Sequence, residues 1–527
     1  MVEKPNFIPL RIGVILFVVV AALLGAYQIS QAQSPDEAEG VAYGNCRYGA
    51  ALMNSGHVNW LDDLKVGWYL NFGRTAPAAP NNAEYVPVIS VKQDRDSQGA
   101  RLQTYTTEPP LTESGLGALV DSNPGGLWIV GNEVDRVGIQ GDTYPEVYAT
   151  AYHDVYHFIK DRDPSAQVSN SALVQVTPGR LQYMDLMWDA YLEQYGAPMP
   201  VDVWNMHLYI LPEKDANGEG TGAHIALGTD PDLAILSSGN DPDLCPREDV
   251  YCYAEHDDMG IFEQQVRDMR RWMQEKGQRN KPLIISEFSQ LYVFVDYDDP
   301  VNPTQCYVQD EYGNCFTQER VSNFLNNSFT YLETATDPNL GYPEDGNRLV
   351  QQWLWYATGV PQNETGGSSN LLNESGTALT QVGTAFRDYV NHPDRALHVN
   401  LKPESVSALP AFTNGGTVTA TLSADVINNG NRSAGAPFDV TFYSDSGLTQ
   451  AIGTATVPAA TDVLGCARET QRVSVEWSDL SAGRHHFWVE VDSGSAIGES
   501  NENDNVVRGT LLVDPEQLFV PIIRQTR

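Results

Sequence analysis

The segment Leu127-Trp-Ile-Val-Gly-Asn-Glu133 joins four apolar residues to a glycine and a carboxylate. A short apolar run of this kind is typical of a β-strand covered on both faces, as in a parallel sheet. Similar runs occupy Val66–Phe72, Tyr85–Val91, Gln167–Val174, Val203–Tyr209, Pro282–Phe288 and Val350–Tyr356. Between them lie stretches with helical periodicity, which begin near Thr143 and continue at Tyr183–Tyr195, Ile261–Glu275, Glu319–Leu332 and Ala378–Val390. This alternation predicts repeated βα units.

The predicted fold class is α/β, with a (β/α)8 TIM barrel over residues 40–396. About 350 residues with this alternation fit such a barrel with loop insertions better than an open sheet. An eighth strand is expected near Arg101–Tyr105. After His398 the apolar residues alternate with polar ones and turn signals separate the runs, which predicts an all-β immunoglobulin-like sandwich over 398–514 and a short tail over 515–527.

Composition narrows the class of partner. The chain has 527 residues, with 32 basic and 68 acidic side chains and a formal charge of −36. Nucleic-acid binding needs clustered Lys and Arg, so no nucleic-acid partner is expected. An acidic chain of this kind suits a neutral substrate and good solubility of the protein itself.

The N-terminal segment 1–33 has the pattern of an export signal. Lys4 and Arg11 precede the apolar run Ile12–Ala26, and Ser30-Gln31-Ala32 fits a small-x-small cleavage site. This pattern predicts a signal peptide, with an uncleaved membrane anchor as the alternative. Either way the rest of the chain is expected outside the cytoplasm, as a secreted or cell-surface protein.

The chain contains six cysteines, an even number that favours disulfides in an exported protein. Cys245 with Cys252, and Cys306 with Cys315, are close in sequence, and each pair is expected to close its own loop. Cys46 and Cys466 lie far apart, and the sequence does not decide whether they pair. The sequence contains no C-x-x-C motif, so a zinc-ribbon or thioredoxin-like site is not indicated.

Two glutamates stand at the carboxyl ends of predicted strands. Glu133 follows the strand LWIV, and Glu287 follows PLII in Ile285-Ser-Glu-Phe288. The active site of a TIM barrel lies at that end of the strands. Two carboxylates meeting there suit acid, base or nucleophilic work on a glycosidic bond, whereas a single glutamate at a strand end usually caps the next turn.

Four short motifs carry a resemblance to a known family. Gly-Asn-Glu (131–133), His-Leu-Tyr (207–209), Ile-Ser-Glu-Phe (285–288) and Gln-Trp-Leu-Trp (352–355) resemble, in order and spacing, those of the clan of retaining glycoside hydrolases built on TIM barrels. Segments 67–69 and 86–88 also look like the first two strands of a subgroup that acts on β-glucans.

The resemblance implies residue roles. Glu133 would be the general acid/base and Glu287 the nucleophile. The implied substrate-binding residues are Asn132, His207, Tyr209, Trp355, Trp68, Tyr69 and Arg74, of which Arg74 stands for an arginine that the clan often uses. Asn132 would bind the sugar 2-hydroxyl, and Trp355 would form the floor of the subsite for the sugar being cleaved.

These features predict an exported retaining glycosidase that cleaves β-linked polysaccharide or oligosaccharide, with a carbohydrate substrate and no cofactor or metal. The alternative is an inactive surface protein that binds glycans or mediates adhesion on the same barrel. A third hypothesis is a zinc hydrolase built on His153 and His157, although Asp154 stands where the metalloprotease motif needs glutamate. The acidic insertion 215–258 begins like a calcium loop but lacks the closing glutamate, so a solvated loop beside the site is expected.

The C-terminal domain resembles a CARDB-type (cell-adhesion-related) immunoglobulin-like module. Val426-Ile-Asn-Asn-Gly430, Trp477 and Ile497-Gly-Glu-Ser-Asn-Glu-Asn-Asp-Asn505 carry this resemblance. Such modules serve as spacers or binding appendages, and no catalytic constellation is seen in it.

Overall fold

A computed structural model describes residues 44–73, 75–293, 308–458 and 463–515. The predicted signal peptide or anchor over 1–33 lies outside the described residues, as does nearly all of the tail. Among the described helices, none has the length and apolar character needed to cross a lipid bilayer.

The N-terminal body is a mixed α/β structure whose main strands are parallel. Its strands are β1 (Asn45–Ala51), β2 (Val66–Leu70), β3 (Glu84–Tyr85), β4 (Val88–Arg95), β5 (Arg101–Glu108), β6 (Leu127–Val130), β7 (Gln167–Ser169), β8 (Trp204–His207), β9 (Leu236–Ser237), β10 (Val250–Tyr251), β11 (Leu283–Phe288) and β12 (Gln352–Trp355). One sheet has the order β3-β2-β1-β12-β11-β8 and a second has β5-β4-β6-β7. An isolated parallel bridge between Ser169 and Val203 links the end of β7 to the start of β8.

Helices follow most of these strands. They are α1 (Trp60–Asp63), α2 (Ala118–Ser122), α3 (Pro145–Arg162), α4 (Pro178–Tyr195), α5 (Met259–Glu275), α6 (Gln318–Thr334) and α7 (Gln381–Val390). Pro145 and Pro178 each occupy the first turn of a helix, where the missing N–H needs no partner. The helices of the sequence-based prediction are therefore present, with ends shifted by a few residues.

Alternate strand residues face two different cores. One set, which includes Trp68, Ile129, Ile284 and Leu354, forms a compact apolar cluster between the strands. The other set, which includes Trp128 and Trp355, packs under the helices in the large core. The alternation follows from the two-residue repeat of a strand, and it decides which side chains face the inside of the sheet, where a substrate could reach them.

The structure corrects the predicted strand order at one place. The first parallel strand is β1, between β2 and β12, and the sequence-based prediction missed it. Segment 101–105 does form a strand, but β5 runs antiparallel to β4 as the second arm of a hairpin. Segment 67–69 therefore lies in β2, the second parallel strand, and segment 86–88 spans the junction of β3 and β4, so the two segments are not the first two strands.

The C-terminal region is a two-layer antiparallel sandwich. Its strands are β13 (Leu401–Ala408), β14 (Val418–Asn428), β15 (Phe438–Tyr443), β16 (Ala451–Val457), β17 (Thr470–Leu480), β18 (Gly483–Val491) and β19 (Val506–Val513). They form the sheets β13-β14-β17 and β16-β15-β18-β19 around a separate apolar core.

A disulfide joins the sandwich to the body. Cys46 in β1 is bonded to Cys466, with Cα atoms 6.1 Å apart, which answers the pairing that the sequence left open. Beside it the buried Arg468 forms an ion pair with Glu84, and its Nε donates to Gln167 Oε1 at 2.9 Å. Since Cys46, Glu84 and Gln167 lie at the starts of parallel strands, the sandwich packs against their amino ends.

Candidate functional site

The turn after β6 carries Glu133 into the interior. Gly131 has φ +90°, and a Cβ there would lie 2.8 Å from Val134 Cγ1, so the turn requires glycine. Glu133 itself has φ +45°, and its N–H donates to the Ala172 carbonyl at 2.9 Å. The side chain of Glu133 is thereby fixed at the carboxyl end of the strand and is only 4% exposed.

Two neighbouring strands bring Glu287 beside His207. Glu287 in β11 is paired in register with His207, the last residue of β8. Two residues beyond His207, the Tyr209 hydroxyl donates to Glu287 Oε1 at 2.7 Å. Glu133 follows β6 of the second sheet, which the Ser169–Val203 bridge joins to β8, and its carboxylate contacts His207 there.

His207 lies between the two glutamates. Its Nδ1 is 3.2 Å from Glu133 Oε1, and its Nε2 is 3.9 Å from Glu287 Oε2. One oxygen of each carboxylate and one imidazole nitrogen lie within 4.8 Å of one another. The predicted pair of carboxylates is thus brought together at one point, where Glu133 is buried and Glu287 remains partly exposed.

The three groups shift one another's protonation. Burial and the negative charge of Glu133 raise the pKa of Glu287. Burial also acts to raise the pKa of Glu133, but hydrogen bonds and charges from His207 and Arg136 outweigh it and lower that pKa. For His207, the two glutamates outweigh the effect of burial and raise its pKa. The arrangement therefore favours an imidazolium beside an ionised Glu133.

Arg136 is a site residue that the sequence reasoning missed. Its Nη1 donates to Glu133 Oε2 at 3.0 Å, and its Nε and Nη2 donate to the Gly222 carbonyl at 3.0 and 2.6 Å. Gly222 belongs to the acidic insertion 215–258, so this insertion borders the site as expected. A single guanidinium connects the insertion to the carboxylate of Glu133.

The aromatic residues expected to hold sugar do not line the site. Trp355 is fully buried, packs on Phe288 and Phe329, and donates from Nε1 to the Ser369 carbonyl at 2.9 Å. Trp68 and Tyr69 are each only 1% exposed. The prediction that these three residues bind substrate is wrong, because Trp355 and Tyr69 face the helices and Trp68 fills the apolar interior.

Two other aromatic residues follow strand ends and remain partly exposed. Phe72 and Tyr356 are half-buried, pack against the interior cluster and extend it toward the carboxyl ends of the strands. The negative charges of Glu287 and Glu133 both act on the Tyr356 hydroxyl, which places it near the two carboxylates. Strand parity could have identified Tyr356, since it lies two residues after Leu354, just beyond the end of β12, and both contact the interior cluster.

Two other predicted site residues have simpler outcomes. Asn132 is half-buried next to Glu133. Arg74 lies outside the described residues.

The predicted Cys245–Cys252 disulfide is confirmed. Cys315 is also disulfide-bonded, while Cys306 lies outside the described residues.

His256 ties together the two segments that follow Tyr209 and Glu287. Its Nδ1 donates to the Ile210 carbonyl at 2.9 Å, and its Nε2 accepts the Leu291 N–H at 2.8 Å. Burial lowers the pKa of His256 to about 4, so the ring keeps the neutral form that these two bonds need.

A buried ion-pair network fixes the start of the insertion. Arg180 contacts Glu213, and its Nε lies 3.0 Å from Asp135 Oδ2 without hydrogen-bond alignment. Burial raises the pKa of Asp135 to about 6, against the charge of Arg180. Because Asp135 is two residues from Glu133, this network supports the turn that holds the carboxylate.

Two groups of donors in the described residues have the spacing to hold a metal. One is Glu133, His207 and Glu287 itself. The other contains Cys245 and Cys252, whose sulfurs are joined in a disulfide and so cannot bind as thiolates. His153 is not part of either group; it stacks on Tyr195 at 3.6 Å and contacts the Tyr191 hydroxyl at 2.9 Å.

Comparison with known proteins gives distant matches for the whole chain. No curated protein sequence matches it. A monomeric β-xylosidase from Caulobacter crescentus is 11% identical, with 84% of this chain and 98% of that chain covered and a TM-score of 0.39. A Parabacteroides merdae β-glucuronidase is 8% identical, with 90% and 48% covered and a TM-score of 0.33. Similarities this distant do not transfer an activity to the chain.

The C-terminal region has a direct family match. The CARDB domain of a Pyrococcus furiosus protein, solved in complex with di-metal ions, is 18% identical, with 22% of this chain and 96% of that chain covered and a TM-score of 0.18. The CARDB family model itself matches residues 400–509. The predicted resemblance is thereby confirmed, and residues 400–509 form a CARDB domain.

Proposed function

We propose that this protein is an exported retaining glycoside hydrolase that cleaves β-linked polysaccharide or oligosaccharide. The observation that carries the proposal is the approach of Glu133 and Glu287 to within 4.8 Å, oxygen to oxygen. Retaining enzymes hold their carboxyl groups about 5–5.5 Å apart, whereas inverting enzymes need about 6.5–9.5 Å to admit a water molecule. The observed spacing favours double displacement.

The proposed scaffold is a closed (β/α)8 barrel. Parallel pairing runs from β12 through β1 and β2 to β3, and from β4 through β6 to β7. Only Val86 and Pro87 separate β3 from β4, so these two strands act as one. The Ser169–Val203 bridge and the pairing of β8 with β11 and of β11 with β12 would complete a ring of eight. On this scaffold Glu133 follows the fourth strand and Glu287 ends the seventh.

In the first step Glu287 attacks the anomeric carbon while Glu133 protonates the leaving oxygen. The glycosidic bond breaks, a glycosyl ester of Glu287 forms, and the alcohol leaves with the proton. In the second step the Glu133 carboxylate removes a proton from water, which attacks the anomeric carbon and releases Glu287. The Tyr209 hydroxyl orients Glu287 throughout by its 2.7 Å hydrogen bond.

His207 supplies the proton that the first step needs. The free site favours protonated His207 and ionised Glu133, but the acid must carry a proton. Transfer from His207 Nδ1 to Glu133 Oε1, over 3.2 Å, converts the ion pair into a neutral pair. Exclusion of water by a bound sugar favours the neutral pair, because a low dielectric disfavours separated charges.

The CARDB domain lies at the amino ends of the strands, opposite this site, so it is proposed to act as a spacer or attachment module. The Cys46–Cys466 and Cys245–Cys252 disulfides support an oxidising, extracellular or cell-surface location. Carbohydrate is the proposed partner.

The experiment is hydrolysis of a panel of purified β-glucans, mannans and xylans, followed by release of reducing ends. The wild-type protein and the control variant Glu476→Gln, changed on an exposed strand of the sandwich, are expected to release sugar from at least one glycan. Glu133→Gln and Glu287→Ala are expected to lose this activity. Full activity in either variant would refute the assignment.

One observation favours the alternative of an inactive glycan-binding protein. The contact of Arg136 with Glu133 occupies the carboxylate that must act as the acid. If the wild-type protein binds a glycan of the panel but releases no reducing ends, and Glu133→Gln binds it equally well, the alternative is supported.

A further inference from the structure

Two arginines hold three successive residues near the start of the acidic insertion. Arg136 donates to the Gly222 carbonyl from Nε at 3.0 Å and from Nη2 at 2.6 Å. Arg180 Nη2 donates to the next two carbonyls, those of Ala223 at 2.9 Å and His224 at 3.1 Å. Hydrogen bonds from a charged donor are the stronger kind, so these three residues, here called the anchored segment, are held in one position.

One end of the anchored segment contacts the partner of Glu133. Gly222 shares the guanidinium of Arg136 with Glu133 Oε2, which accepts a hydrogen bond from Nη1 at 3.0 Å. The turn that carries Glu133 is tied to the insertion a second time, because the Leu227 N–H donates to the Asp135 carbonyl at 2.9 Å. A displacement of the anchored segment would therefore draw Arg136 away from the acid.

The middle of the anchored segment packs beside the partner of Glu287. Ala223 is buried in a small apolar cluster with Tyr209 and Val174. The Tyr209 hydroxyl is the group that donates to Glu287 Oε1 at 2.7 Å. The anchored segment thus contacts a group that holds each of the two carboxylates.

Arg180 is itself fixed by its surroundings. It lies in the first turn of α4 and is fully buried, and its Nη1 contacts Glu213, which is also fully buried. Glu213 accepts further hydrogen bonds from Thr177 Oγ1 at 2.6 Å and from Gln175 Nε2 at 2.9 Å. The guanidinium is planar, so its contact with the fixed carboxylate of Glu213 also sets the direction in which Nη2 points.

We propose that Arg180 is a positioning residue that acts through the anchored segment to set the places of both Glu133 and Glu287. In the described part of the chain, no hydrogen bond or ion pair joins Arg180 to either carboxylate, so it acts through Arg136 and Tyr209. The start of the acidic insertion is then part of the catalytic apparatus and not a solvated loop beside it. This inference rests on the proposed function.

The experiment is Arg180→Lys, assayed on the glycan that the panel identifies. Lysine keeps the charge beside Glu213 but lacks the planar fork that also reaches two carbonyls. Contacts with Arg136 and Tyr209 favour the ionised forms of the two carboxylates, so weakening both contacts should move both limbs of the pH profile of kcat/KM to higher pH. We also expect kcat to fall about 10–100-fold, as for a small displacement of reacting groups.

The pH profile separates positioning from folding. A loss of folded protein alone would lower kcat but leave both limbs in place, so unmoved limbs in Arg180→Lys would overturn the proposal. The matched control is Arg162→Lys at the end of α3, where the arginine pairs with Glu113 and Asp121, and it should keep both limbs.

A second variant decides the question if Arg180→Lys folds poorly. Ala223→Gly removes only the methyl group that packs in the cluster with Tyr209, so the acidic limb should move to higher pH while the basic limb stays. An acidic limb that stays in place would overturn the proposal. A wild-type protein that turns over no glycan would overturn the proposed function and this inference with it, whereas an active wild-type protein with unmoved limbs in the variants overturns the inference alone.

Discussion

Replacing Arg136 by glutamine tests how the site sets the protonation of its acid. Arg136 Nη1 lies 3.0 Å from Glu133 Oε2, and the arginine side chain is 23% exposed. An opposite charge at such a distance lowers a carboxyl pKa by about 1–3 units. We expect the loss of Arg136 to raise the pKa of Glu133. Allowing for the partial exposure of Arg136, we assign the contact about 1–2 kcal/mol, toward the low end for hydrogen bonds to charged groups.

The sign of the kinetic effect follows from the role of Glu133. The free enzyme must hold the proton that His207 and Glu133 share, so loss of this proton from the pair sets the basic limb of the pH profile of kcat/KM. Removing the positive charge of Arg136 makes the pair hold its proton more tightly. A higher pKa moves that limb to higher pH, and Arg136→Gln should be active at pH values where the wild-type enzyme has lost activity.

The assay is kcat/KM from pH 4 to 10 on the glycan identified by the panel. The matched control is Arg247→Gln, which removes an exposed arginine of the same insertion that pairs with Asp249. A basic limb that stays in place in Arg136→Gln, or moves to lower pH, would refute the electrostatic role of Arg136. An equal shift in Arg247→Gln would show a general charge effect instead.

Three further predictions follow from contacts in the structure. Tyr209→Phe removes a hydrogen bond to the Glu287 carboxylate worth about 1.5–3 kcal/mol, so kcat should fall at least about tenfold. Loss of this bond also raises the pKa of Glu287, so the acidic limb of the pH profile should move to higher pH, whereas an unchanged kcat contradicts the prediction. Tyr356→Ala removes an aromatic surface at the mouth of the site and should raise KM about fivefold, for about 1 kcal/mol of lost contact, with little change in kcat. Cys46→Ser opens a disulfide that spans 420 residues and should cost about 2–5 kcal/mol, seen as a lower Tm, whereas Cys245→Ser opens a separation of 7 residues and should lower Tm less.

The positions of the catalytic candidates could be predicted because they depend on strand ends. Glu133, His207 and Glu287 each lie at or just after the carboxyl end of a recognisable apolar strand. Parallel strands bring those ends together whatever the details of packing. The sequence was therefore sufficient to place these three residues in one site.

The aromatic residues that face the site were predicted wrongly because neighbouring residues in a strand point to opposite faces of the sheet. Trp355 and Tyr356 are adjacent, but Trp355 points under the helices and Tyr356 toward the strand ends. The exact register of a short strand is not visible in its composition, since both faces of a covered strand are apolar.

The first strand was missed because it lacks a long apolar run. β1 contains Arg47, which is buried and lies 2.8 Å from Asp345, almost 300 residues away. From sequence alone, a charged residue is expected to be exposed, because a buried charge needs a partner and the partner of Arg47 is distant in the chain. The Cys46–Cys466 disulfide could not be predicted for the same reason, because the fold decides which distant cysteines pair.

The most direct test of the double-displacement proposal is chemical rescue of Glu287→Ala by azide on an activated aryl β-glycoside. If Glu287 is the nucleophile, azide fills the space left by its carboxylate and restores turnover, giving a glycosyl azide of inverted, α configuration. A β-configured azide from this variant, with the α product arising instead from a variant at Glu133, would contradict the assignment and exchange the two roles.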